Sequence, residues 1–268
     1  MKQNREQELL ARLSLVHKLS LAETMELLRV SESTARRMFA RLENEGKVIR
    51  THGGIQNVNH AMAAYSFEHG ARTNIEQKTA IGKAACDCLE DGDVIFCDSG
   101  TTMQCFCAQL VQRLQKEPLD IILYTNSLAN LELLSPYMQV KLVGGEYRAY
   151  RKDFCGYMTE QALSGLYFTK SFIGADGCAQ GKQFTTTDYA TLRINEIAMR
   201  NSEKTFMLVD SSKFSLTSHV AYAPVQKLHT IITDDGISAE TLYQLKQNKV
   251  QVVCADTRPA AYTMKIVD

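Results

Sequence analysis

Near residue 57 the hydrophobic pattern changes period, and that change divides the chain. Before it, apolar residues recur at helical spacing. Leu9, Leu10, Leu13 and Val16 share one face, and Ala35, Met38, Phe39 and Leu42 share another. From Glu76 onward, short apolar runs alternate with amphipathic stretches. A length of 268 residues, at roughly 150 per domain, leaves room for about two domains. The expected division is residues 1–57, a linker with a short helix over 58–75, and a larger domain over 76–268.

The first part reads as three short helices and a hairpin. Helix one is expected from about Arg5 to His17. Ser20-Leu21-Ala22-Glu23 is a capping box that starts helix two, which runs to about Leu28. Val30 falls in the turn, Ser31 is the next N-cap candidate, and Gly46 is a helix stop signal. Lys47 to Arg50 reads as a strand and His52-Gly53-Gly54 as its turn. That order describes a winged helix-turn-helix, whose third helix enters the DNA major groove led by its N-terminal residues. Ser33, Thr34, Arg36 and Arg37 fall on the side away from the apolar face. Short hydroxyls reach phosphates or base edges, and an arginine forks onto guanine. Arg41 lies one turn on, towards the DNA backbone, and Arg50 and His52 sit on the wing. A solvated helix face often carries arginines too; the caps and glycine signals around this one make it specific.

Charge agrees with a small basic module on a slightly acidic body. Residues 1–60 carry ten Lys or Arg and seven Asp or Glu, and the rest carries 20 and 23, so the chain sums to zero. That excludes a wholly basic nucleic-acid coat.

Seven strands are expected in the larger part, at Val94–Cys97, Ile121–Tyr124, Val140–Val143, Ser171–Ile173, Phe206–Val209, Thr230–Thr233 and Val250–Cys254. Helical stretches such as Met103–Leu114, Tyr189–Asn201 and Ala239–Gln247 lie between several of them. The alternation argues for an α/β domain with a mainly parallel sheet. Such sheets bind ligands beyond the carboxyl ends of their strands. Asp98-Ser99-Gly100-Thr101-Thr102 follows the first strand and opens a helix, a ready anion site. Thr125-Asn126 follows the second strand, Gly144-Gly145 the third, Gly174-Ala175-Asp176 the fourth and Asp210-Ser211-Ser212-Lys213 the fifth. Lys213 supplies a cation for a phosphate. Each piece alone is also an ordinary turn, and Asp176 or Asp210 also suits a helix cap.

The eight cysteines, Cys86 to Cys254, include two C-x-C pairs and no C-x₂-C spacing. Small buried apolar side chains in a reduced, cytoplasmic protein are expected, with no metal site and no cofactor. The polar N-terminus has no apolar signal core, and no run of 18 apolar residues suggests a membrane span.

Ser20 to Ile55 resembles the DNA-binding signature of the DeoR-type regulators. Val30, Ser31, Thr34, Arg36, Arg37, Leu42, Gly46, Arg50, His52, Gly53 and Gly54 match its pattern; Ala35, Met38, Phe39 and Ile55 depart from it. Asp91–Thr102, Thr125-Asn126, Gly144-Gly145, Phe172–Gly177 and Asp210–Phe214 resemble the effector domain of the same family, itself similar to ribose-5-phosphate isomerase. Thr187-Asp188-Tyr189-Ala190 departs from the Glu-Ala usual there. The resemblance implies a repressor of a carbohydrate-utilisation operon that binds double-stranded operator DNA as a homodimer or homotetramer. It also implies that Ser99, Gly100, Thr101, Thr102 and Lys213 help hold a phosphorylated sugar or polyol.

The alternative is an enzyme, a sugar-phosphate isomerase with a DNA-binding head. Isomerisation needs a positioned base and an oxyanion donor. Asp176 resembles one acid of the isomerase motif, but Ile173 stands where a second acid would be, and no catalytic residue is expected.

Overall fold

The capping box at Ser20 forms in the computed structural model of the chain, which describes residues 2–16, 18–44, 47–51, 53–57, 67–258 and 265–266. The Glu23 amide donates to Ser20 Oγ at 3.1 Å, and the Ser20 amide donates to Glu23 Oε2 at 2.7 Å. These bonds hold the Glu23 carboxyl below its ordinary range. Two compact units result, one through His69 and one from Gly70.

The first unit contains α1 (Lys2–Val16), β1 (Lys18–Ser20), α2 (Leu21–Leu28), α3 (Glu32–Asn44), β2 (Val48–Thr51) and β3 (Gly54–Asn57). Leu9, Leu13, Leu28, Met38, Phe39 and Leu42 meet Leu19, Val48 and Ile55 in one apolar cluster. The wing has three strands in the order β1-β3-β2, all antiparallel, where the sequence suggests a two-stranded hairpin. Three residues are too few for a strand to show a period of its own. Gly54 allows the third strand to pair, because a Cβ there would lie 2.0 Å from the Leu19 carbonyl oxygen. Gly46, His52 and residues 58–66 of the expected linker lie outside the described residues.

The second unit begins within α4 (Phe67–Arg72), and its core begins with α5 (Ile75–Cys86). Its main strands are β4 (Val94–Cys97), β5 (Ile122–Thr125), β6 (Val140–Leu142), β9 (Phe168–Ile173), β12 (Ser202–Leu208), β14 (Thr230–Asp234) and β15 (Gln251–Ala255). They form a parallel sheet in the order β15-β14-β12-β9-β4-β5-β6, with β16 (Lys265–Ile266) antiparallel on β15. All seven expected strands are present, with ends shifted by up to a few residues. One face carries α5 and α6 (Thr101–Leu114), with Ile81, Phe106 and Leu110 packed on Phe172, Phe206 and Ile232. Phe172 stacks between Phe106 and Phe206, with centroids 4.7 and 5.0 Å away. A Cβ at Gly82 would lie 2.7 Å from the Phe106 amide nitrogen, so α5 approaches α6 only with glycine there.

On the other face, α8 (Tyr157–Ser164) and α9 (Tyr189–Arg200) cover Phe96 and Phe168, and α10 (Ala239–Gln247) contributes Leu245 to a second cluster around Ile231. The helix α7 (Leu128–Leu134) follows β5, and a hairpin, β7 (Glu146–Arg148) and β8 (Asp153–Cys155), follows β6. A small antiparallel sheet holds β10 (Gly177–Ala179), β11 (Gln183–Thr186) and β13 (Val220–Pro224).

All eight cysteines are free thiols; Cys88, Cys105 and Cys254 are only partly buried. Among the described residues no group of three His, Cys, Asp or Glu side chains is placed to hold a metal ion. No helix among them is long and apolar enough to cross a membrane.

Candidate functional site

The start of α3 presents Ser33, Arg36 and Arg37 exposed and Thr34 half-buried, while Ala35, Met38, Phe39 and Leu42 are buried beneath. Ser31 Oγ lies 3.1 Å from Ser33 Oγ and 3.0 Å from Thr34 Oγ1, so three hydroxyls cluster at the helix start. The arginines differ in their partners. Arg36 pairs with Glu32 at 2.7 Å, Arg41 pairs with Glu6, and Arg50 lies 3.6 Å from Glu43. Arg37 makes no ion pair or hydrogen bond among the described residues. Met38, where the family pattern has an acid, is core.

The carboxyl ends of β4, β5, β6 and β9 are drawn together by buried polar bonds. Asp98, 3% exposed, accepts from the Ser99 amide at 2.7 Å, the Gly174 amide at 3.3 Å and Asn195 Nδ2 at 3.2 Å. Burial raises its pKa to about 7 despite those donors. Asp98 thus clamps the ends of β4 and β9 to α9. Tyr222 OH donates to the Gly174 carbonyl on the same side. Asn130 Nδ2 donates to the Asp98 carbonyl at 3.0 Å and to Thr125 Oγ1 at 3.3 Å.

The hairpin β7–β8 folds onto these ends. Asn126 Nδ2 donates to the Phe154 carbonyl at 3.0 Å, and the Phe154 amide donates back to the Asn126 carbonyl at 2.8 Å. Ser99 Oγ donates to Asp153 Oδ2 at 2.9 Å. Arg148 grips Asp153 through Nε at 2.8 Å and Nη2 at 2.7 Å, and reaches Asp188 at 3.0 Å. Burial opposes the Arg148 cation, and Asp153 with Asp188 more than offsets it, so its pKa is raised. Arg151 pairs with Asp188 at 2.9 Å and approaches Asp176 at 3.7 Å. Asp176 also accepts from the Thr187 amide at 2.9 Å and the hydroxyls of Thr187 and Thr186 at 3.0 and 3.1 Å. Asp188 caps α9, accepting from the Thr191 amide at 2.8 Å. Burial pushes its pKa up, but Arg151, that amide and Arg148 bring it below the ordinary carboxylate range.

The remaining expected residues fall around this network. Gly100 (φ 121°) precedes α6, which has no side-chain cap; Thr101 is buried and Thr102 half-buried. A Cβ at Gly145 would lie 2.1 Å from Thr159 Oγ1, so the close approach there is made by α8, while Gly144 is open. Asp210 starts the short turn Ser211–Ser215 and caps it, its Oδ1 accepting from the Ser212 amide at 3.2 Å. Lys213 is half-buried on that turn, and its ammonium makes no ion pair or hydrogen bond among the described residues. The turn is bonded to Asp234 at the end of β14 and to Asn74 before α5, not to the hairpin network.

Arg148, Arg151, Asp153, Asp188 and Asn195 were not singled out from sequence as site residues. The charged run from Arg148 to Asp153, next to Gly144-Gly145, was the available signal; its burial was not.

Comparison with known proteins agrees with both units. Residues 5–61 match the DeoR-like helix-turn-helix domain, and residues 73–235 match the DeoR C terminal sensor domain. The chain is 34% identical over 220 residues to a lactose phosphotransferase system repressor of Staphylococcus epidermidis, covering 80% of this chain and 84% of that one. It is 32% identical over 249 residues to the repressor of the same name from Lactococcus lactis, covering 92% and 96%. A solved ribose 5-phosphate isomerase from Methanocaldococcus jannaschii is similar over 53% of this chain and 55% of its own, with 22% identity and a TM-score of 0.41. With a matching winged helix, a matching sensor unit and relatives that cover nearly their full length, the chain belongs to the DeoR family of transcriptional regulators.

Proposed function

We propose that the chain is a cytoplasmic, ligand-controlled repressor of a carbohydrate-utilisation operon. It binds duplex operator DNA through α3 and the wing, as a homodimer or homotetramer, and it binds a phosphorylated sugar or polyol at the strand ends of the sensor unit. The observation that carries the effector reading is the start of α6 after Gly100, without a side-chain cap, at the carboxyl-end side of the same sheet as Lys213, a lysine without a partner among the described residues. A helix N-terminus and a cation together suit a phosphate dianion. Asp176 and the arginine–aspartate network of the hairpin suit the hydroxyls of a sugar. If the effector binds one arrangement of subunits better, it shifts the population towards it and changes the spacing of the paired winged helices.

The regulator reading is preferred to an isomerase because Ile173, where a second acid is needed, is fully buried in an apolar cluster. The relatives are themselves repressors. The test is thermal shift against pentose 5-phosphates, hexose 6-phosphates and hexitol 6-phosphates, followed by release of DNA selected from a random duplex pool. A compound at 100 times its dissociation constant stabilises the protein by about 2.7 kcal/mol. Absence of any shift across the panel, with the protein folded, overturns the effector assignment.

A further inference from the structure

Asp210 has one committed carboxylate oxygen and one open one. Its Oδ1 accepts from Asn74 Nδ2 at 2.9 Å and from the Ser212 amide at 3.2 Å, and the Ser212 hydroxyl donates to it as well. Its Oδ2 is buried and has no hydrogen-bond partner among the described residues, in a side chain that is 1% exposed. A buried acceptor left unpaired is unfavourable, and a hydroxyl supplied by a ligand relieves it.

Asn74 stands where the chain joins the sensor unit, one residue before α5. Its backbone is left-handed (φ 53°), a region Asn tolerates better than most residues. Its side chain does not cap α5; it crosses to the turn after β12, donating to Ser212 Oγ at 3.2 Å as well as to Asp210. One turn further, Lys78 is 4% exposed, and its ammonium donates to the Gly70 carbonyl at 2.7 Å and the Thr73 carbonyl at 2.8 Å. Burial disfavours that cation, the Asp210 charge supports it, and the Lys213 charge opposes it. The segment Gly70–Asn74 and the turn Asp210–Lys213 therefore share one unit of hydrogen bonds and charge.

We infer that Asn74 is a positioning residue that couples effector occupancy at the Asp210–Lys213 turn to the segment through which the sensor unit is joined to the rest of the chain. The inference rests on the effector reading given above. A hydroxyl of the sugar phosphate donates to Asp210 Oδ2, and its phosphate takes Lys213. The carboxylate that reads the ligand is the one that holds Asn74, so a rearrangement of the turn acts on Asn74, which adjoins the Thr73 carbonyl that Lys78 grips. Asn74 itself does not touch the ligand.

The test uses the full chain and Asn74→Gly, which is compatible with the left-handed backbone and removes the whole side chain with its amide. The probes are the panel sugar phosphate that binds wild type most tightly and DNA selected by wild type from a random duplex pool. In Asn74→Gly, the dissociation constant for the sugar phosphate and the DNA affinity without it should each stay within about threefold of wild type. The ratio of DNA affinities without and with saturating sugar phosphate should fall by about fivefold or more. Ser212→Ala, at an exposed position, removes the bond from Asn74 to Ser212 but leaves the one to Asp210, so it should lower the same ratio by less, and adding it to Asn74→Gly should lower the ratio no further. A wild-type ratio in both variants overturns the inference, as does a fall in ligand affinity that alone accounts for the lost response. A wild type that binds no panel compound removes the effector reading, and the inference with it.

Discussion

The Ser99 hydroxyl donates to the buried Asp153 carboxylate at 2.9 Å, joining residues 54 positions apart. The bond ties the turn after β4 to the hairpin β7–β8. Arg148 completes the tie by gripping both oxygens of the same carboxylate, at 2.8 and 2.7 Å. The two side chains are 12% and 1% exposed, so this is a buried ion pair. Such a pair adds little over an apolar replacement, but breaking it leaves an uncompensated charge.

Arg148→Ala should therefore cost about 3–5 kcal/mol of stability. Replacing both partners, Arg148→Met with Asp153→Leu, should cost less than Arg148→Ala alone. Urea unfolding of the three proteins decides this. A loss below about 1 kcal/mol in Arg148→Ala would mean that the pair behaves as a solvated surface bridge.

On the recognition helix, the arginines should not be equivalent. Arg36 must leave Glu32 to meet DNA, whereas Arg37 is held by no described residue. Arg37→Ala should cost roughly 1–3 kcal/mol of binding to selected DNA and relax its sequence preference. Arg50→Ala should weaken selected and random DNA alike and flatten the salt dependence by about one unit. Glu32→Gln should tighten binding by freeing Arg36. Titrations across salt report all of these, and unchanged affinity in the Arg36→Ala/Arg37→Ala double variant, with the fold intact, would sink the interface.

The elements that sequence shows clearly are those with their own period or their own cap. Ser20 and Glu23 announce α2 because the capping bonds are local, and Val94–Cys97 announces β4 because a central parallel strand is apolar on both faces. β1 and the hairpin β7–β8 are three-residue strands, too short to carry a pattern; β1 exists because Gly54 lets β3 approach it, and the hairpin is closed across its own turn by the Arg148–Asp153 pair. Of the site, the strand-end turns were legible from their small residues. The network beneath them was not, because Asp188 and Arg151 look in sequence like solvated charges, and only tertiary contact buries them. Gly145 shows the converse: its smallness is used by Thr159 and not left open.

Asp98 gives the chain a distinct pH dependence. Its pKa in the folded protein is raised by burial to about 7, against an ordinary value near 3.8. The folded state therefore holds the proton more tightly than the unfolded chain. The sign follows: its contribution is fully present below about pH 4 and is lost as pH rises through about 7. Asp188 and Asp93, whose pKa values are lowered, act in the opposite sense and lose their contribution only in acid. The difference in melting temperature between wild type and Asp98→Asn isolates the first effect. It should change steadily between pH 4 and 7 in favour of the variant as pH rises; a flat difference over that window would contradict the raised value.

Lys213 is the sharpest test of the effector site, because it separates the two units. The side chain is half-buried, has no described partner, and lies on a turn held by Asp210 and Asp234 rather than by its own ammonium. Lys213→Ala should therefore fold. DNA affinity without effector should match wild type, since the winged helix has its own core. A small, very polar ligand draws most of its affinity from charge-assisted bonds, so losing the cation should cost about 1.5–3 kcal/mol of effector binding. That corresponds to roughly a 10- to 150-fold higher sugar-phosphate concentration for DNA release, at 1.4 kcal/mol per tenfold. Thr101→Val, which removes a hydroxyl at the start of α6 while keeping its shape, should shift the response in the same direction by less. The measurement is DNA release against sugar-phosphate concentration, wild type beside each variant. Release by both variants at the wild-type concentration would place the effector away from the carboxyl ends of β4 and β12, and the assignment of Ser99 to Thr102 would fall with that of Lys213.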